Sequence, residues 1–101
     1  MTRTDLKLVA QITDTAQRIA DLRLRRALNA YVAALDAQLI AKKAYIKNSN
    51  SEDACENFNF AKAEVAVAFA AYNLQELSAN AAYCAVREVA RLANHANLAS
   101  C

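Results

Sequence analysis

Apolar residues crowd the second half of the chain in a pattern that admits two readings. In AEVAVAFAAYNL, residues 63–74, Val65, Val67 and Phe69 alternate with alanines as in a half-buried strand. Spaced about 100° apart, as on an α-helix, the residues of this half instead fall on two faces. Phe58, Val65, Phe69, Tyr72, Tyr83 and Ala90 make one stripe. Phe60, Ala63, Val67, Ala71, Leu74, Ala81, Ala85 and Leu92 make another, nearly opposite. Lys62, Asn73, Asn80, Arg87 and Arg91 form a narrow polar strip between them. A helix that is apolar on two sides is a buried helix. One stripe faces a helix of the same chain, and the other needs a second partner.

The first half also carries two apolar faces, one after the other. Val9, Ile12, Ala16 and Ile19, with Leu22 at the edge, share the first. Leu28, Tyr31, Val32, Leu35, Leu39 and Ile46 share a face turned by about 150° from it. Drift of the helical period against a heptad accounts for only about 20° per seven residues. The switch falls at DLRLRR, residues 21–26. It predicts either a kink near residues 22–26 or an unbroken helix that changes partner there. The unbroken helix is favoured because neither proline nor glycine interrupts the segment.

Composition decides between helix and strand. The 101 residues include no glycine and no proline, whereas alanine, the best helix former, occupies 25 positions. Tight turns between strands call on glycine for positive φ and on proline for a pre-set φ. The stretch at 63–74 is therefore helix. The one loop-like segment is KNSNSEDA, residues 47–54. Lys42, Lys43 and Lys47 complement the dipole at the end of one helix. Asn48 or Asn50 is placed to take the left-handed C-cap conformation in the absence of glycine. Ser49 followed by Glu52 fits a capping box for the next helix, and Thr2 or Thr4 caps the first.

The expected fold is all-α, a single-domain long antiparallel helical hairpin over residues 1–101. Its helices are expected at about 4–47 and 52–97, with a loop at about 48–51. Two helices of that size, at about 1.5 Å per residue, each run about 65–70 Å and enclose no interior beyond one seam. The second stripe of the second helix then predicts self-association into a helical bundle, a homodimer first of all. Phe60, Val67, Leu74, Leu77 and Leu92 are the expected interface residues.

Charge adds one candidate surface. Residues 1–50 carry a net charge of +5 and residues 51–101 a net charge of −3, consistent with the total of +2. Arg18, Arg23, Arg25 and Arg26 are clustered, and arginine forks suit phosphates and carboxylates alike. Asp14–Arg18 and Asp21–Arg25 have the i,i+4 spacing of ion pairs on a solvated helix face, which argues for a protein partner over nucleic acid. The four tyrosines, Tyr31, Tyr45, Tyr72 and Tyr83, are spaced for helix–helix contact.

Enzymatic constellations are thin. His95 is the single histidine and is expected to be an exposed polar residue near the end of the second helix. There is no H-E-x-x-H, no E-x-x-H and no nucleophile elbow. The absence of glycine removes the usual phosphate cradles. Cys55, Cys84 and Cys101 form no C-x-x-C pair, which argues against a disulfide framework and a zinc site. Cys84 is expected in the core and Cys101 in solvent. The longest uncharged run, Val65–Gln75, is too short to span a bilayer, where about 20 residues are needed. The amino terminus, MTRTDLKLVAQ, lacks the apolar core of a signal peptide.

The expectation is a cytoplasmic, non-enzymatic protein–protein interaction module with no cofactor, no metal and no membrane partner. An adaptor fits it, as does a small inhibitor of the phage or mobile-element type that occupies a partner's surface. The alternatives are a bundle that binds RNA or DNA through the arginine cluster, and a structural assembly subunit.

Overall fold

A computed structural model describes residues 2–99 of the backbone and the side chains of residues 2–96. The protein is all-α, a helical hairpin of two helices packed against each other. Helix α1 spans Arg3–Lys47 and helix α2 spans Glu52–Ala99. Helix α1 runs unbroken through residues 22–26, so no break accompanies the change in its apolar face.

Each helix start is capped by a side chain. Thr2 and Asp5 form a reciprocal capping box. The Asp5 amide donates to Thr2 Oγ1 at 3.1 Å, and the Thr2 amide donates to Asp5 Oδ2 at 3.2 Å. At α2 the cap is Ser51, whose Oγ accepts from the Ala54 amide at 3.2 Å. The expected Ser49 cap is thus displaced by two residues. The reason lies in the turn, where the Ser51 amide donates to the Asn48 carbonyl at 3.0 Å. That closure uses Asn48 to Ser51 as a compact turn and leaves Ser51 at the first helical boundary.

The expected left-handed asparagine is also absent, since no described residue has positive φ. Instead the Asn48 amide is shared between the carbonyls of Ala44 and Tyr45, at 3.1 and 3.2 Å. This tightened last turn satisfies carbonyls that a glycine C-cap would otherwise serve. Within α1, Thr13 and Thr15 return their hydroxyls to carbonyls four residues back, which lets them sit in a helix without an orphan polar group.

The chain divides into two compact units. One, the turn unit, is Arg25–Leu74; the other, the terminal unit, combines Met1–Leu24 with Gln75–Cys101. In the turn unit the inward positions of α1 are Ala27, Tyr31, Ala34, Gln38, Ala41 and Tyr45. Those of α2 are Ala54, Phe58, Ala61, Val65, Ala68 and Tyr72. Both rows step by three and four residues in strict alternation, the 3.5-residue repeat of a coiled-coil seam. Large and small positions alternate as well. Tyr31 stacks on Tyr72, with ring centroids 6.2 Å apart, and Tyr45 meets Phe58 at 5.7 Å. Between these ring layers, Ala34 lies beside Ala68 and Ala41 beside Ala61, with Gln38 and Val65 in the middle layer, and the alanines allow close approach of the two backbones.

The terminal unit uses the same spacing with different residues. Ala10, Thr13, Gln17, Ala20 and Leu24 face inward on α1, and Gln75, Ala79, Ala82, Val86, Val89 and Ala93 on α2. Ala20, Ala61 and Ala79 are the buried core residues among those described, and no large side chain is fully buried.

The inward row of α1 differs from the faces read in its sequence. Of Val9, Ile12, Ala16, Ile19 and Leu22, Val9 alone is half-buried and the others are exposed. Of the second face, Tyr31 points inward while Leu28, Val32, Leu35, Leu39 and Ile46 are exposed. Two causes combine. A straight wheel at about 100° per residue drifts off a strict heptad row by about 20° per turn-pair, so a long seam smears across it. And the seam is selected by small residues that admit a close neighbour, which leaves much of the bulky apolar volume outside.

Candidate interaction surfaces

Helix α2 carries a second row with the spacing of its first. Phe60, Ala63, Val67, Ala70 and Leu74 again step by three and four residues, and all are exposed. Phe60, Val67 and Leu74 are 65–71% exposed, so the hairpin leaves this row almost entirely in solvent. Lys62 beside them places its ammonium 4.6 Å from the centroid of the Phe58 ring. In the terminal unit, Leu77 is 68% and Leu92 40% exposed. Fifteen residues separate Leu77 and Leu92, which offsets their directions by about 60°.

Helix α1 supplies a further exposed row in the turn unit. Leu28, Val32, Leu35, Leu39 and Ile46 keep the same alternating spacing, with Lys42 in the one polar position. In the terminal unit the large exposed apolar residues of α1 are Leu8, Ile12, Ile19 and Leu22. Ile40, more exposed than these, has no place in either face read from the sequence. It borders a shallow groove of about 430 Å³ with Ala37, Ala41, Ala44, Ala54 and Asn57. The sequence signal for that groove is the pair of alanines seven residues apart, Ala37 and Ala44.

The arginine candidates are all exposed. Arg18 and Arg23 belong to the terminal unit, Arg25 and Arg26 to the turn unit. The expected Asp14–Arg18 and Asp21–Arg25 pairs are not formed. The ion pair among the described residues is Arg91–Glu88, at 2.6 Å. Long exposed side chains gain too little from such a pair to be held in one geometry. The Arg91 fork binds both Glu88 oxygens, at 2.6 and 3.1 Å. These hydrogen bonds, with the charge behind them, lower the Glu88 pKa and raise that of Arg91.

The remaining polar candidates form no reactive cluster. Cys84 is exposed, not in the core as expected, because its helical direction lies opposite the inward pair Ala82 and Val86. It borders a shallow surface depression with Arg87, Glu88 and Arg91. Arg87 lies over the Tyr83 ring, 5.8 Å from its centroid. Cys55 is half-buried and free, and Cys101 lies outside the described residues. His95 is exposed. No group of three or more histidine, cysteine, aspartate or glutamate side chains among the described residues is placed to hold a metal ion. No described helix is long and apolar enough to cross a membrane.

No protein-family model, curated protein or solved structure matches the chain.

Proposed function

We propose that the protein is a non-enzymatic interaction module whose outer helix faces dock onto other proteins, in the manner of an adaptor or of an inhibitor that occupies a partner's surface. The observation that carries this reading is the exposure of ordered apolar rows, above all Phe60, Val67 and Leu74 on α2 and Leu28, Val32, Leu35 and Leu39 on α1. Scattered apolar residues on a surface are ordinary, but contiguous rows of them mark interaction sites. The surface area supports the same reading. The chain exposes 7685 Å². A folded monomer of 11.0 kDa is expected to expose about 5,600 Å². The excess, about 2,000 Å², exceeds the ~800 Å² that each partner gives to a standard interface. A cytoplasmic setting belongs to this reading, supported by the free thiols of Cys55 and Cys84.

The test is capture of partner proteins from nuclease-treated lysate by the full chain and by Leu35→Asp. Loss of a specific protein with Leu35→Asp, at unchanged helicity, is the expected result. Equal capture by both chains, or capture of nucleic acid alone, overturns the reading.

A second reading is favoured by one observation. Arg18, Arg23, Arg25 and Arg26 are exposed and take part in no ion pair among the described residues. Their guanidinium groups are thus available to phosphates, and a bundle that binds RNA or DNA through them is the alternative.

A further inference from the structure

The outer row of α2 in the turn unit repeats the design of the inner one. Inside the hairpin, Tyr31 lies level with Tyr72 and Tyr45 with Phe58; in both pairs the residue numbers total 103. At that register Ala41 comes level with position 62, beside Ala61, and Ala34 with position 69, beside Ala68. Large residues therefore meet large ones and alanines meet alanines. The outer row has the same alternation, with Phe60, Val67 and Leu74 every seventh residue and Ala63 and Ala70 between them. It carries no charged or polar position from Phe60 to Leu74.

We propose that this row docks on the same row of a second copy of the chain, α2 against α2 in antiparallel orientation, about a two-fold axis that passes beside Val67. The size rule of the hairpin seam fixes that register. Val67 meets its own counterpart, Phe60 meets Leu74 of the second copy, and Ala63 comes level with position 71, beside Ala70. The symmetry is closed, because each copy presents the same patch to the other.

The flanks of the row admit a copy of itself. About an axis at residue 67 the numbers of level residues total 134, so Ala66 comes level with Ala68, and Asn59 and Asn73 of the two copies lie about two residues out of step. The charged flank is Glu64, which comes level with Ala70, so no like charges face each other. Small flanking residues also let the two helices approach closely. The row takes apolar surface that is 65–71% exposed at its three large positions.

This inference rests on the interaction-module reading and names one occupant for one of its faces. Two measurements test it. The first is sedimentation equilibrium of the full chain. The expected mass is twice 11.0 kDa. Val67→Glu is expected to run as a single chain with helicity retained, and Leu35→Glu, on the exposed row of α1, to keep the doubled mass. The second is cross-linking of Val67→Cys in a background of Cys55→Ser, Cys84→Ser and Cys101→Ser. Mild oxidation should link two copies through residue 67, whereas Leu35→Cys in the same background should stay unlinked. A full chain of single mass at about 100 μM overturns the proposal; so does a dimer that survives Val67→Glu, or equal linking at residues 35 and 67. A single-mass chain that still captures a partner protein sinks the self-docking alone and leaves the interaction-module reading standing.

Discussion

Tyr31 stacks on Tyr72, with ring centroids 6.2 Å apart and planes 27° from parallel, and it meets Phe69 at 5.4 Å with the rings tilted by 53°. One α1 residue thereby holds two consecutive turns of α2. The alanines on either side of it, Ala27 and Ala34, bring the backbones together but bury little surface of their own. The ring cluster brings three aromatic side chains of the turn unit together.

Tyr31→Ala should lower the unfolding free energy by about 2 kcal/mol, below the ~3–5 kcal/mol of a fully buried aromatic because the site is half open. Tyr31→Phe should be close to neutral, since no described hydrogen bond engages the hydroxyl. Urea unfolding at a fixed protein concentration checks both. A tyrosine-to-alanine loss under about 0.5 kcal/mol would mean that the ring stack contributes little and the seam is held elsewhere.

The two serines of the turn make a paired prediction. Ser51→Ala removes the acceptor for the Ala54 amide and should cost about 1 kcal/mol. Ser49 is exposed and makes no described side-chain hydrogen bond, so Ser49→Ala should leave the melting midpoint unchanged. The reverse order of effects would place the start of α2 two residues earlier than Ser51.

What the sequence disclosed and what it hid divide along physical lines. The helical hairpin was legible, because a chain without glycine or proline and rich in alanine has few ways to build a sheet. The exposed α2 row was legible in Phe60, Val67 and Leu74, whose spacing leaves them opposite Phe58, Val65 and Tyr72. The inward row of α1 was not. Its members, Ala27, Ala34, Gln38 and Ala41, carry weak hydrophobicity, and the signal that marks them is a repeat of small size every seven residues. A search for bulky apolar residues selects Val32, Leu35 and Leu39 instead. The cap at Ser51 was hidden for a different reason. Ser49 and Ser51 both precede acidic residues, and the Asn48–Ser51 turn that decides between them is a backbone event.

Acid should weaken the helix ends in a defined way. The hydroxyl of Thr2, and then its amide, stabilise the Asp5 carboxylate and lower its pKa from the ordinary 3.8. The hydrogen bonds from Arg91, and then its charge, lower that of Glu88 from 4.5. A carboxylate with a depressed folded pKa contributes stability that is present above its unfolded value and lost as pH falls through the folded one. Both groups are solvent-exposed, so the effect is small and screened by salt. Melting curves of the full chain and of Asp5→Asn with Glu88→Gln should differ at about pH 6 and converge as pH falls below the lowered pKa values of the two carboxylates. A gap that persists at low pH would assign the difference to something other than these two carboxylates. The raised pKa of Arg91 has no consequence in this window, because its contribution is lost only above the ordinary guanidinium range.

The arginines decide between the two functional readings. Arg18, Arg23, Arg25 and Arg26 are exposed, and the aspartates at i,i+4 spacing do not engage them. Free guanidinium groups alone do not make a nucleic-acid site, because the amino-terminal half's charge of +5 is opposed by −3 from residues 51–101. An interaction module predicts no binding of RNA or duplex DNA at ~150 mM salt, and weaker protein-partner capture by Arg25→Glu. A nucleic-acid bundle predicts binding whose logarithm falls linearly with the logarithm of salt, with a slope of about −0.9 per duplex phosphate contacted or about −0.7 on single strands. Four engaged arginines would give a slope near −3 to −4 under that rule. Fluorescence anisotropy with labelled oligonucleotides over a salt series separates the cases. The expected result is an unchanged signal at ~150 mM salt for the full chain. A steep slope that Arg25→Glu makes shallower by about one contact would move the arginine cluster from a solvated helix face to the binding surface, and would reverse the order of the two readings.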